Sequence, residues 1–335
     1  HRKILLLVLS LAFILRVLTI QYGLPFSYQE QEQRNVHIAL KMGATGDLDP
    51  HLITKGLIWY ILLVEYGVYY AAGRATGLFH SSFDFARSYF LDHTPFYIID
   101  RLNQGILAMI SLWILYRLVS RIHGKNLAIW AVAVGGSAAY HVEASRYALT
   151  DMLNALFGVL YLLHLFRYVE SGRVKNMAWS AVFAGLSCSA KLHGGILLVG
   201  IMGIPLARKE FARAAAAAAV FGVTFVLTTP AFILSPEWSY RALMEELQIR
   251  YIVEQKGLTM ESFSEMLKML VFTGMTVPGA ALFLIGLAAA SCGRAFKWIG
   301  MVLPMALYLF WVGRQPAFHY LLVIWPMLTV LIVSG

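Results

Sequence analysis

Apolar residues fall along most of the chain in blocks of membrane-spanning length, with polar residues gathered between them. Blocks at roughly 4–20, 98–117, 127–140, 151–166, 177–190, 193–206, 212–229, 267–290, 298–312 and 318–334 are the spanning candidates. A window of about 20 apolar residues crosses a bilayer as a helix. The two shortest blocks, 177–190 and 193–206, predict a paired, tilted or partly re-entrant arrangement. The stretch GLIWYILLVEYGVYYAAG (56–73) differs: it carries Glu65, is rich in tyrosine, and ends at Gly73 and Arg74, which predicts an interfacial or half-inserted helix. VHIALKMG (36–43) predicts a short amphipathic helix ended by Gly43, and SPEWSYRALMEELQIRYIVEQKG (235–257) a surface helix opened by Ser-Pro-Glu. The pattern as a whole predicts an all-α polytopic membrane protein with about ten spanning helices and further interfacial helices on its outer face.

Composition sharpens that picture. Of 335 residues, 59% are hydrophobic and 13% charged, against roughly 25% charged in soluble domains. The net charge of +9 is not a nucleic-acid footprint, because basic residues form short clusters between apolar blocks instead of a continuous face. With the amino end inside, the inner loops hold Arg2 and Lys3; Arg117, Arg121 and Lys125; Arg167, Arg173 and Lys175; Arg208, Lys209 and Arg213; and Arg294 and Lys297. That threading keeps 56–73 out of the spanning set and puts 21–97, 141–150, the turn at Lys191–His193, 230–266 and 313–317 outside. The organisation expected is a single transmembrane domain over 1–335, with a large outer loop at 21–97 and a second at 230–266. The chain begins at His1 and ends inside an apolar block, so a leader or tail beyond either end stays open. Cys188 and Cys292 have no metal-ligand spacing and read as small apolar residues.

Ionisable residues near the outer ends of the blocks are the candidate chemistry, since such groups are costly at membrane depth. Glu30 and Glu32 follow the first block. HVEASRYALTDML (141–153) carries Glu143, Arg146 and Asp151, with Asp151 at a helix start where a carboxylate can cap backbone N–H groups. Lys55 stands where the outer loop meets the next apolar stretch, and SAKLHGG (189–195) sets Lys191 and His193 in a tight outer turn. Topology brings these to one level, which predicts a cleft with carboxylates on one wall and cations on another. Plainer roles stay open beside this one: Asp151 as a helix cap, Lys55 and Lys191 as interface anchors, Glu30 and Glu32 as solvated loop charges. GDLDP (46–50) has the spacing of a carboxylate metal pair around Asp49, yet serves equally as a turn beside His51. No cofactor is assigned, a divalent metal is possible without being favoured, and His164, alone within a block, reads as a packing residue.

Taken in order, these pieces resemble the GT-C class of membrane glycosyltransferases, in particular the protein O-mannosyltransferase and aminoarabinose transferase group. The resemblance runs through ILRVLTI, a counterpart of the Tyr-x-x-Asp-Glu motif at YQEQEQ (28–33), GDLDP, KGLIWYI, DRLNQGIL, SRYALTD, GLSCSAK (185–191) and HYLLVIWP (319–326). Three positions depart from the family pattern. Gln31 stands where the family has its catalytic aspartate, Lys-Pro-Pro has become Lys55-Gly56-Leu57, and His319 replaces an arginine. The family's large soluble carboxy-terminal domain has no counterpart in these residues.

The resemblance implies a polyprenyl-phosphate sugar donor in the lipid bilayer and transfer to an acceptor hydroxyl at the extracytoplasmic face of an inner membrane, or its endoplasmic-reticulum equivalent. A departing phosphate needs cations on its oxygens, which suits Lys55, Lys191, Arg146 and His193. With Gln31 unable to take a proton, Glu32 is the first candidate base and Glu30 the second, with Asp151 orienting the acceptor or the cations. Asp49, His51, Glu143 and His319 are expected to line the cleft. A single displacement would invert the anomeric centre. The departures equally suit a protein that has lost catalysis and serves as a scaffold among partners in a membrane complex; a transporter or flippase is a further alternative.

Overall fold

The computed structural model describes residues 1–49, 56–253, 260–292, 296–312 and 322–334. Among these the chain is a succession of helices. α1 (Arg2–Val17) is the first apolar block. α2 (Glu30–Thr45) begins well before the amphipathic helix expected at 36–43. The side chain of Gln29 accepts the Gln31 backbone N–H, Glu30 and Glu32 sit in the first turn where the helix dipole favours carboxylates, and Gly46 ends the helix at φ 72°. The helix therefore takes in the motif that had read as loop.

α3 (Gly56–Thr76) covers the stretch expected to stay interfacial. It is one uninterrupted helix of 21 residues, roughly 31 Å long, and both long and apolar enough to cross a bilayer. By length and composition it thus qualifies as a full span, where the sequence pattern predicts an interfacial or half-inserted helix. α4 (Ser82–Leu91) is capped by Ser81, whose hydroxyl accepts the Asp84 N–H at 3.1 Å. α5 (Thr94–His123) follows, with Pro95 in its first turn. The block 127–140 divides into α6 (Lys125–Ser137) and α7 (Ala139–Ala144), because Ala138 adopts an extended ψ of 123°.

α8 (Asp151–Ser171) is followed by α9 (Val174–Ala190), a 3-10 turn at Leu192–Ile196, and α10 (Leu197–Ala207), the pair of short elements expected from their lengths. α11 (Phe211–Thr228), α12 (Ala231–Leu234) and the surface helix α13 (Pro236–Val253) lead to α14 (Met260–Lys268). A π-helical turn at Met269–Met275 joins α14 to α15 (Thr276–Cys292), and α16 (Phe296–Val312) and α17 (Trp325–Ser334) complete the described chain. Four of these helices, α3, α5, α8 and α11, are long and apolar enough to cross a membrane by themselves.

Two apolar clusters hold the helices together. The larger joins α1, α5, α6, α8, α9, α10, α16 and α17 through residues such as Leu112, Val159, Ile201 and Leu328. His164 sits on this bundle against Phe183, at 5.4 Å between rings, and so serves packing. The smaller cluster packs Val36, Ala39 and Met42 of α2 on Ile58, Trp59, Leu62 and Tyr66 of α3, closed by Phe96, Tyr97, Ala148 and Leu153. It packs α2 and α3 against the start of α5 and against the segment that leads into α8.

Close helix approach inside the bundle depends on glycine. A methyl group at Gly200 would lie 2.1 Å from the Tyr161 hydroxyl and 2.5 Å from the Gly300 carbonyl, the two atoms that bond each other at 2.9 Å. Gly200→Ala is expected to cost about 1–3 kcal/mol, since overpacking must displace backbone as well as side chain. Unfolding of the detergent-solubilised protein measures it.

Candidate active site

The segment from Ser145 to Thr150 joins α7 to α8 and is pinned from both sides by buried ion pairs. On one side Glu32 of α2 is fully buried and meets Arg101 of α5 in a two-pronged contact. Arg101 Nε donates to Glu32 Oε1 at 2.8 Å and Nη2 to Oε2 at 2.7 Å. The Ala148 N–H donates to Oε1 at 2.9 Å and the Ser27 hydroxyl to Oε2 at 2.5 Å. Each carboxylate oxygen thus holds two donors, its full complement. Arg101 is similarly engaged: Nη1 donates to the carbonyls of Ile20 and Tyr22 at 2.7 and 2.9 Å, and the guanidinium lies 5.4 Å from the centre of the Tyr147 ring. Asn35 adds a second tie, donating to the Ala148 carbonyl at 2.8 Å while accepting the Trp59 indole N–H at 3.1 Å.

On the other side, Asp151 in the first turn of α8 accepts the Lys191 ammonium at 2.8 Å, both groups buried. Thr150 is the N-cap residue and makes no side-chain cap bond, while the Asp151 carboxylate, expected as a cap, holds the lysine. Lys191 ends α9 in an extended conformation, and its carbonyl accepts the Gly194 N–H at 2.8 Å. Gly194 is required there: a Cβ would stand 2.4 Å from the Ser187 backbone of α9. His193 is buried in the same turn, its ring edge-on to Tyr308 at 6.2 Å.

Beside the first ion pair is a cavity of about 660 Å³, lined by Leu15, Thr19 and Tyr22 at the end of α1 and by Arg101, Glu143, Arg146 and Tyr147. That volume is within the range of small-molecule sites. Glu143 is exposed, and Arg146 Nη2 donates to the Leu15 carbonyl at 3.2 Å. Below the cavity Arg16, also buried, donates from Nη2 to the Gly136 carbonyl at 3.0 Å and to His141 Nδ1 at 2.6 Å. Because arginine has only donors, Nδ1 is an acceptor, and Nε2, 3.2 Å from the Ser111 hydroxyl, carries the proton. Burial, then the charge of Arg16, hold His141 well below the usual histidine value. The unfolded chain binds this proton at about pH 6.5 and the folded chain does not. Stability is therefore expected to fall as pH drops below about 6.5, more steeply in wild type than in His141→Gln, by unfolding at pH 7.5 and 5.5.

The expected residues are thus brought together in a different form. Glu32 and Asp151 are each paired with a buried cation, Arg101 and Lys191, on either side of the 145–150 segment, while Glu143 and Arg146 line the open cavity. Glu30 is exposed at the start of α2. Asp49 accepts the Ser235 hydroxyl, while Asp47 accepts the Asp49 N–H at 3.0 Å, so both carboxylates of the motif are engaged in local hydrogen bonds. Among the described residues no group of three or more His, Cys, Asp or Glu side chains is placed to hold a metal ion. His51, Lys55 and His319 lie outside the described residues. Arg101, Tyr147 and Asn35 were not singled out from the sequence; an arginine at the head of a spanning block, as in DRLNQGIL, was the available signal.

The model of the dolichyl-phosphate-mannose-protein mannosyltransferase family matches residues 100–240, from α5 into α13. Among solved structures, ArnT from Cupriavidus metallidurans bound to undecaprenyl phosphate superposes with a TM-score of 0.71 at 15% identity, covering 98% of this chain. The same protein in the apo state gives 0.66, also at 15% identity and 98% coverage. The chain spans 59% and 58% of that protein in the two structures. No curated protein sequence matches. The fold is the GT-C membrane fold, as the sequence motifs implied.

Proposed function

We propose that this protein binds a polyprenyl-phosphate-linked sugar from the bilayer and transfers the sugar to an acceptor hydroxyl at the outer membrane face. The observation that carries this reading is the pinned 145–150 segment, which presents Arg146 and Tyr147 to a cavity of about 660 Å³ at the end of α1. Buried pairs on both flanks fix that segment, as a site needs if its charges are to be preorganised. The fold adds support, since one protein that shares it has been seen with undecaprenyl phosphate.

In the proposed reaction the acceptor oxygen attacks the anomeric carbon as the bond from that carbon to the phosphate oxygen breaks. The phosphate leaves with the electron pair, and Arg146 meets the charge that develops on it; Lys55 and Lys191 are the further cations proposed for it. The acceptor proton passes to a carboxylate. Glu32 is poorly suited to take it, with four donors already on its oxygens, and acts in this reading by holding Arg101. Glu143, exposed at the cavity, takes over as base, with Glu30 second. Inversion at the anomeric carbon is the expected outcome.

A scaffold role is the second reading, favoured by one observation: the glutamate that aligns with the family motif is locked into a structural ion pair, next to Gln31. Native mass spectrometry with undecaprenyl phosphate and with undecaprenol separates the two. The transferase reading expects the phosphate to raise affinity at least about tenfold and Arg146→Ala to remove most of that gain, the value of a charge-assisted hydrogen bond. Equal binding of both lipids, unaffected by Arg146→Ala, leaves the scaffold.

A further inference from the structure

Behind the Glu32–Arg101 pair, α3 and α5 enclose a second polar cluster that the proposed reaction does not use. Asp100, Asn103 and Gln104 stand at i, i+3 and i+4 on α5, one face of one helical turn, and Glu65 and Tyr66 meet them from α3. The two amides are already committed as donors: Asn103 Nδ2 to Glu65 Oε1, and Gln104 Nε2 to Asp100 Oδ1 at 3.1 Å. Left over are Glu65 Oε2, Asp100 Oδ2, Gln104 Oε1 and the Tyr66 hydroxyl, all buried and none with a hydrogen-bond partner. Asp100 and Gln104 are fully buried and Tyr66 is 2% exposed.

Three of these four groups are acceptors only, and two belong to carboxylates. Unpaired carboxylates are costly away from water. The adjoining cation does not offset them, because Arg101 has both its prongs on Glu32. Water can satisfy the hydrogen bonds of such a set but not its charge, and protons on the two carboxyls, which remove the charge, are what a cation has to displace. A coordinated cation fills the whole set.

We propose that Glu65, Asp100, Gln104 and Tyr66 form a binding site for a hard divalent cation between α3 and α5. The donors are all oxygen, which selects against soft metals. Two carboxylates, one amide carbonyl and one phenol are too few for the six to eight oxygens Ca²⁺ takes, and suit Mg²⁺, which keeps waters in its shell. Glu65 and Asn103 are only partly buried, so the ion enters along their edge, while Asp100 and Gln104 close the inner end. The bound ion braces α3, whose first residue follows Lys55 in the chain, against the helix that carries Arg101.

The test uses the full chain, purified in detergent, stripped with a chelator and titrated with Mg²⁺, Ca²⁺ or Na⁺ at matched ionic strength. Native mass spectrometry reads stoichiometry and thermal unfolding reads linkage. One Mg²⁺ per chain and a rise in Tm of about 3–5 °C at roughly a hundredfold excess over Kd are expected, with a smaller rise for Ca²⁺ and none for Na⁺. In Glu65→Gln/Asp100→Asn the rise disappears, and the stripped variant is at least as stable as stripped wild type, since the buried charges are gone. Less than about 0.2 Mg²⁺ bound to wild type, an equal response to Na⁺, or an undiminished rise in the double variant overturns the site. Wild-type stoichiometry alone decides the matter should the variant fail to fold. Neither carboxylate has a part in sugar transfer, so either result leaves that reading untouched.

Discussion

Arg101→Met is expected to destabilise the protein by about 3–5 kcal/mol, the largest loss among the substitutions considered. The reason is asymmetry. Removing one partner of a buried pair leaves the other charge in a low-dielectric site, whereas removing both leaves none. Glu32 has no exposure to water, and without the guanidinium it keeps only the Ser27 hydroxyl and the Ala148 N–H. Arg101→Met also releases the carbonyls of Ile20 and Tyr22, so the end of α1 loosens together with the cavity wall. Glu32→Gln/Arg101→Met should recover a large part of the loss. A double-mutant cycle by unfolding in detergent measures the coupling. A loss below about 1 kcal/mol for the single variant would mean that the pair behaves as a solvated surface pair.

Lys191→Met is the second large effect, expected at about 2–4 kcal/mol. The desolvated partner is again a carboxylate, Asp151, 3% exposed. It differs in lying within the first turn of α8, where the helix dipole favours a negative charge by about 0.3–1 kcal/mol. That residual support makes the loss smaller than for Arg101→Met. Asp151→Asn/Lys191→Met should restore most of the stability but not the affinity for undecaprenyl phosphate, if Lys191 contributes to the phosphate site. Recovery of both would assign the lysine to structure alone. The lipid-binding measurement that tests Arg146 gives this answer in the same experiment.

Much of the architecture was legible in the sequence because hydrophobic block length is a local property. The short elements around Lys191, the surface helix opened by Ser235-Pro236-Glu237 and the bundle of apolar blocks follow from run lengths and start signals. The start of α2 was missed because its cap is Gln29, outside the usual Ser, Thr, Asp and Asn set. α3 was read from its charge and aromatic content as interfacial, and its unbroken length shows that those features did not shorten the helix. The site residues were legible as types and not as pairs. Glu32 was noticed, but its partner lies 69 residues away and the amide that completes its shell 116 away. Asp151 and Lys191, 40 residues apart, were both noticed and placed on opposite walls of a cleft, with Asp151 to orient either the acceptor or the cations; the structure has it holding a cation.

The sequence by itself determined that the chain is a stack of apolar helices with its ionisable groups gathered at and between their ends, because burial of apolar surface depends mainly on which residues each helix carries. Only the tertiary structure decided which charge meets which. A desolvated ion pair is stable at one mutual geometry and costly at every other, so Glu32 became the anchor of Arg101 and Asp151 that of Lys191, while Asp100 and Glu65 were each left with a buried oxygen that has no hydrogen-bond partner.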